Sequence, residues 1–421
     1  MDFAAVQKKY RDMLEGDFLP FWEKAFDREY GGVFTCFSND GSRLLSQDKY
    51  VWSQGRILWV LARLCDMSDR GRVAIDREKY ARQAEQTYCL IRDHAVLEKG
   101  GVCAYLLDRE GRPKESIPGK GFYTSYLVDC FVIIGVMEYA RVFRRADAVA
   151  LGLELYDRMQ AYLERGDVRA EPYPVRKGYR AHSMEMILCN VCGTAADALR
   201  ASGHPREPEM ARAARLHAHR VLFGFYDPRN GLIREMVGPP QESDTVLARH
   251  VTPGHMNECM WFCMDAYREG TDGERLAARD RIASVVLRNM ESNWDKEFGG
   301  LCRFLDRDGT PPHGRRIGDA YENLVLDTWD TKLWWVHSES LYTVLRSYCV
   351  TGRPEFADWY DRLDDYVFTR FPNPDRRVGE WIQILDRRGR PLEKVVALPV
   401  KDPFHILRDM MQILELSAPQ F

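Results

Sequence analysis

The sequence contains no run of 18 apolar residues, so no helix is expected to cross a membrane. Its opening, MDFAAVQKKYRDMLEGDFLPFW, lacks a basic segment leading into an apolar run, which predicts no signal peptide. It also lacks an excess of charge. Sixty Lys and Arg against 63 Asp and Glu leave a formal net charge of −3. Nucleic acids and acidic membranes both need a basic surface, so neither is expected as a partner. The eleven cysteines have no metal spacing. Cys189-x-x-Cys192 and Cys259-x-x-x-Cys263 sit in apolar stretches with no second ligand pair. They read as core thiols, no metal site is expected, and the chain reads as reduced and cytoplasmic. No G-x-x-x-x-G-K-[ST] occurs; the basic loop GRPKESIPGKGF at 111–122 is a phosphate-binding candidate, with a solvated turn the favoured reading. No Pro/Ser-rich linker divides the 421 residues, so a single domain over 1–421 is expected. What is plentiful is apolar and aromatic: 45% hydrophobic residues, with ten Trp and twenty Tyr. That suffices for a large core, and flat rings are the surfaces on which sugars lie.

One pattern recurs along the chain. Glycine, a short alternating apolar stretch and a D-x-G or N-D-G turn appear at Gly31, Gly100, Gly299 and Gly379. A weaker copy lies around Gly231 and a faint one in EPYPVRKG. Alternation ending in a Gly turn predicts short hairpins. The spacing implies a unit of roughly 70 residues, six of which fit the chain. Between the hairpins, ILWVLARLCDM, YLVDCFVIIGVMEYARVF, MWFCMDAYREG and SLYTVLRSYCV carry helical periodicity. Six helix pairs, each led by a hairpin, predict an all-α (α/α)6 barrel with its hairpins at one rim. An open solenoid of helix pairs is the alternative.

The repeats align polar residues. Thr252-Pro-Gly-His255-Met-Asn-Glu258 lies over Asp402-Pro-Phe-His405-Ile-Leu-Arg408. Thr252 and Asp402 are expected as N-caps, with Pro253 and Pro403 in the first turn. In a closed ring His255 and His405 then face one cavity. Lys49-Tyr-Val-Trp52-Ser-Gln54-Gly-Arg56 likewise lies over Lys332-Leu-Trp-Trp335-Val-His337-Ser-Glu339. This places Arg56, Trp335, His337 and Glu339 at inner-helix starts. His182 and Glu185 open another helix and are intermediate candidates. His250 precedes a cap and is undecided. His94, His204, His217, His219 and His313 are expected at the surface.

Two imidazoles across a cavity suit proton removal from one face of an acidified carbon and return to the other. Arg56 and Arg408 are candidates to hold the developing enolate oxygen, and Glu258 or Glu339 to orient a ring nitrogen or a substrate hydroxyl. That chemistry is epimerisation of an open-chain sugar without metal or redox cofactor. Paired carboxylates such as Glu258 and Glu339 leave glycoside hydrolysis open, although it needs no matched histidines. A non-catalytic protein-binding module would need none either.

At these residues the sequence resembles the N-acylglucosamine 2-epimerase family, which includes the renin-binding proteins. The resemblance runs from DREYGGVFTCFSNDGS and KYVWSQGR, through TPGHMNECMWF and KLWWVHSES, to KDPFHILRDM. It implies an (α/α)6 barrel interconverting N-acetylglucosamine and N-acetylmannosamine. His255 and His405 would be the acid/base pair. Arg56, Glu258, Trp335, His337, Glu339 and Arg408 would contact substrate. Relatives on the same barrel include cellobiose 2-epimerases and mannose-type aldose–ketose isomerases, some with a further histidine in the helix that here carries Glu185. The box WWVHSE resembles the N-acylglucosamine branch. The resemblance also implies no required cofactor, ATP as an effector, and a homodimer. PPHGRRIGDAYENLVLDTWD, before Lys332, is longer than its counterpart before Lys49 and is placed to cover the mouth.

Overall fold

The computed structural model describes residues 1–393 and 400–417. Among the described residues, twelve principal helices alternate between an outer and an inner ring. The outer helices are α1 (Phe3–Met13), α3 (Arg77–Leu90), α5 (Ala146–Glu164), α7 (Glu207–His219), α9 (Asp272–Asn293) and α11 (Pro354–Arg370). The inner ones are α2 (Val51–Asp69), α4 (Tyr126–Phe143), α6 (His182–Ser202), α8 (Pro253–Ala266), α10 (Trp334–Thr351) and α12 (His405–Glu415). Each inner helix packs on the next, and α12 packs back on α2, which closes the (α/α)6 barrel.

Burial distinguishes the rings. Outer α3 buries Tyr80, Gln83, Ala84, Thr87 and Tyr88, a stripe at helical spacing with solvent on the other side. Inner α4 buries fourteen of its eighteen residues, because it has neighbours on nearly every side. One hydrophobic core extends from Tyr10 to Leu414.

The strands depart from expectation. They are two or three residues long, and most pair between repeats. Lys49–Tyr50 pairs with Leu106–Leu107, Arg180–Ala181 with Met236–Val237, His250–Val251 with Leu305–Asp306, and Lys332–Leu333 with Ile384–Leu385. Local hairpins remain at Cys36–Phe37 with Leu44–Ser46, Leu106–Leu107 with Pro113–Lys114, and Tyr226–Asp227 with Leu232–Ile233. EPYPVRKG forms no strand. So short a hairpin is marginal alone, and lacing to the next repeat stabilises it. The first strand of each laced pair leads into an inner helix, so lacing sets α2, α6, α8 and α10 at one rim.

Two repeats share a buried anchor. In DREYGG and DKEFGG the aspartate caps the glycine turn: Gly31 N–H donates to Asp27 O at 2.9 Å, and Gly299 N–H to Asp295 O at 2.8 Å. Each aspartate then receives a fully buried lysine, Lys49 at 2.9 Å and Lys332 at 3.0 Å. The second glycine of each turn is required by close approach as well as by positive φ. A Cβ on Gly32 would lie 2.3 Å from Gln54 Oε1, and one on Gly300 would lie 2.8 Å from His337 Nε2.

The ring is also stitched where its ends meet. Lys401 N–H donates to Thr35 O at 2.7 Å. Asn39 Nδ2 bonds Ile384 O at 3.0 Å, and Gln7 Nε2 bonds Leu416 O at 2.8 Å.

Removing one partner of a buried ion pair leaves an uncompensated charge. Lys49→Met is expected to lower unfolding stability in urea by about 3–5 kcal/mol. A loss below about 1 kcal/mol would show that the anchor is not structural.

Candidate active site at the rim

Thr252 stands at the N-cap of α8, but its hydroxyl makes no cap bond and is buried without a partner. Pro253 opens that helix. At the other segment the helix begins later than expected, at His405. Asp402 still does a cap's work, accepting from the N–H groups of Phe404 at 3.2 Å and His405 at 3.1 Å. Its other contact is Arg56 Nη1 at 3.2 Å. Arg56 lies over the Phe131 ring at 3.9 Å, and burial lowers its pKa. This pair ties α2 to the start of α12.

Three inner helices meet in one charged cluster. His405 Nδ1 donates to Glu339 Oε1 at 2.6 Å, and Trp261 Nε1 donates to Glu339 Oε2 at 2.8 Å. Arg408 Nη2 bonds Glu258 Oε1 at 2.5 Å and also contacts Glu339 Oε1. Burial alone would raise the pKa of Glu339, but Arg408 and His405 hold it below the usual carboxylate value. One turn along α12, Asp409 shows the opposite effect. Burial, reinforced by the Glu339 charge, pushes its carboxyl well above the ordinary value.

The second imidazole has a separate carboxylate. His255 Nδ1 donates to Glu235 Oε1 at 3.0 Å. The other oxygen of Glu235 faces His182 Nδ1 at 3.5 Å. Burial opposes ionisation of Glu235, yet the charges of His255 and His182 hold its pKa well below normal. Trp335 touches both imidazoles, 5.2 Å from the His255 ring and 5.7 Å from that of His405. A Cβ on Gly254 would lie 2.5 Å from the Trp335 ring, so the glycine in T-P-G-H lets the indole lie against α8. With Nδ1–H committed to a carboxylate, the working atom of each histidine is Nε2.

The structure therefore brings together His255, His405, Arg56, Glu258, Trp335, Glu339 and Arg408. It does not bring in two other expected residues. His337 is fully buried and stacked on Tyr366. Its Nδ1–H donates to Leu333 O at 2.7 Å, and its Nε2 accepts the Leu301 N–H at 3.0 Å. Its repeat counterpart Gln54 accepts the Val33 N–H at 2.8 Å. Both side chains hold a glycine turn in place. Glu185 faces the outer ring, bonded to His217 at 2.6 Å and near Arg220 at 3.5 Å. His217 is accordingly buried, as is His250, whose Nδ1–H donates to Leu247 O at 2.8 Å.

Glu235 was not anticipated. Its signal is a charged pair, Arg234-Glu235, inside the apolar stretch LIREMV. Of the residues with metal-ligand character, Glu258, Glu339 and His405 converge, but Arg408 already lies between the carboxylates. Asp306, Asp308 and His313 also converge, and Arg249 bonds both aspartates there. The helix Ala320–Thr328 in the longer segment before Lys332 packs Tyr321 against His250 and Tyr173.

The model of the N-acylglucosamine 2-epimerase family matches residues 31–408. The chain belongs to the N-acylglucosamine 2-epimerase family. It is 28% identical over 398 residues to N-acylglucosamine 2-epimerase of Mus musculus, covering 93% of this chain and 87% of the relative. It is 22% identical over 425 residues to cellobiose 2-epimerase of Ruminococcus albus, covering 96% and 97%. The solved structure of cellobiose 2-epimerase from Bacillus thermoamylovorans superposes with a TM-score of 0.75 at 18% identity, covering 98% of this chain and 99% of the other. In this member of the family, no helix among the described residues is long and apolar enough to cross a membrane.

Burial lowers the His337 pKa to about 3, against an ordinary 6.5. Between those values the unfolded chain binds a proton that the folded chain does not. The residue's contribution to stability therefore falls as pH drops from about 6.5 toward about 3, by about 1.4 kcal/mol per pH unit. His337→Gln copies Gln54 and keeps an acceptor for Leu301. From pH 6 to pH 5, wild type is expected to lose about 1 kcal/mol more unfolding stability than the variant. Equal losses would contradict the structural role.

Proposed function

We propose that the chain interconverts N-acetylglucosamine and N-acetylmannosamine, with His255 and His405 exchanging the C2 proton between opposite faces of the open-chain sugar. Family membership makes the chain a carbohydrate isomerase, a sugar 2-epimerase. The observation that carries the two-histidine reading is the paired geometry: two imidazoles flank one indole, each with Nδ1 on its own carboxylate. One neutral Nε2 takes the C2 proton, and the C–H electrons move into the C1 carbonyl to give an enolate. Arg56, whose Nη1 contacts Asp402, is the cation assigned to the developing oxygen charge. The other histidine, protonated at Nε2, delivers its proton to the opposite face. Trp335 gives the chain of carbons a flat surface between the bases. The substrate follows from the higher identity to the N-acylglucosamine enzymes than to the cellobiose enzymes.

NMR product analysis with N-acetylglucosamine, N-acetylmannosamine, mannose and cellobiose is expected to show turnover of the N-acetyl sugars, with solvent deuterium entering at C2. Turnover of mannose to a ketose instead would place the chain in the isomerase branch. His255→Ala and His405→Ala are each expected to lower kcat by about 10³-fold or more with the fold retained by circular dichroism. An active His405→Ala variant would defeat the two-base scheme.

Glu235→Gln keeps a hydrogen-bond acceptor but removes the charge. It is expected to reduce kcat by about 10²-fold with KM little changed. An equal effect on KM would mean that Glu235 contacts substrate.

A further inference from the structure

A cavity of about 430 Å³ opens at the other end of the ring, well along the inner helices from the histidines. Site residues occupy the first two turns, whereas this cavity is lined from Arg63 of α2, Asn190 and Thr194 of α6, and Gln412 of α12. It extends outward to Arg215 on α7. Trp59, Trp261 and Phe404 supply apolar surface. Arg408 also reaches it, 4.3 Å from the Phe404 ring, so this wall is the back of the cluster that holds His405.

Four of its hydrogen-bonding side chains are uncommitted. Among the described residues, the side chains of Asn190, Thr194, Gln412 and Arg215 form no hydrogen bond or ion pair with protein. Gln412 Oε1 is buried without a donor. The acids at the cavity are already compensated. Glu138 pairs with Arg141 at 2.8 Å, Asp197 with Arg200 and Arg268 at 2.8 Å each, Asp265 with Arg346 at 2.6 Å, and Glu269 with Arg200 at 2.9 Å. Arg63 has only looser contacts, at 3.4 and 3.5 Å. Positive charge is therefore left over at Arg215 and in part at Arg63. Between Asn190 and Thr194, a Cβ on Gly193 would meet nothing within 4 Å, which marks open space in front of the helix.

We propose that this second mouth is a binding site for a hydroxylated anion of monosaccharide size, a sugar acid or a sugar phosphate. The amides and hydroxyl of Asn190, Gln412 and Thr194 match a ring of hydroxyls, the indoles match its apolar faces, and Arg215 matches the anionic group. The site is independent of the catalytic reading, since binding is measured without turnover.

The test is calorimetric titration of wild-type protein with D-gluconate, D-glucose 6-phosphate and uncharged D-glucose. At least one charged probe is expected to bind saturably, about tenfold or more tighter than glucose. The two charged probes separate carboxylate from phosphate as the preferred group. Gly193→Met fills the open space from a helix interior, and Arg215→Ala removes the free cation. Each is expected to weaken the bound probe about tenfold or more, with kcat and KM unchanged when no probe is present. Absence of saturable binding up to about 10 mM would overturn the proposal. So would glucose binding as tightly as the anions. Binding left intact by both substitutions would assign the probe to the histidine mouth and likewise overturn it.

Discussion

A single guanidinium holds the histidine-bearing end of this barrel together. Arg408 is buried between Glu258 and Glu339, and Glu339 in turn holds His405 and Trp261. Helices α8, α10 and α12 thus share one set of charges. Such a cluster is costly to desolvate and tolerable only when each lone pair is used. Both oxygens of Glu339 are used. The consequence is orientation: His405 cannot rotate without uncovering a buried carboxylate.

His255 is oriented by a different device. Its carboxylate comes from the strand segment ahead of Met236–Val237, and that segment is fixed by its ladder to Arg180–Ala181. The same ladder delivers His182 to the other oxygen of Glu235. One imidazole is therefore positioned by helix packing and the other by cross-repeat strand pairing. Trp335, partly buried between them, is common to both.

What was legible in the sequence was what repeats. The T-P-G-H and D-P-F-H segments identify His255 and His405 as equivalent helix starts, and the alternating hairpin motif counts six units. The repeat also misled at one point. His337 aligns with Gln54, and the shared task is to accept an N–H from a glycine turn. That task is invisible without knowing which turn folds back onto which helix. Glu185 was misplaced because an inner helix has two buried faces, and spacing alone does not say which face meets the outer ring. Glu235 escaped notice because neither partner is a sequence neighbour: His255 opens the next inner helix, and His182 is brought in by a ladder that pairs different repeats.

The stitching of Gln7, Thr35 and Asn39 to the last unit has a further consequence. The first and last principal helices among the described residues lie side by side, and each inner helix leans on the next, so the annulus has no privileged starting unit. A chain with α12 linked to α1 and reopened in an exposed outer loop would retain these contacts. Excising the unit that carries Met236–Val237 and His250–Val251, by contrast, would leave Arg180–Ala181 and Leu305–Asp306 without their partners.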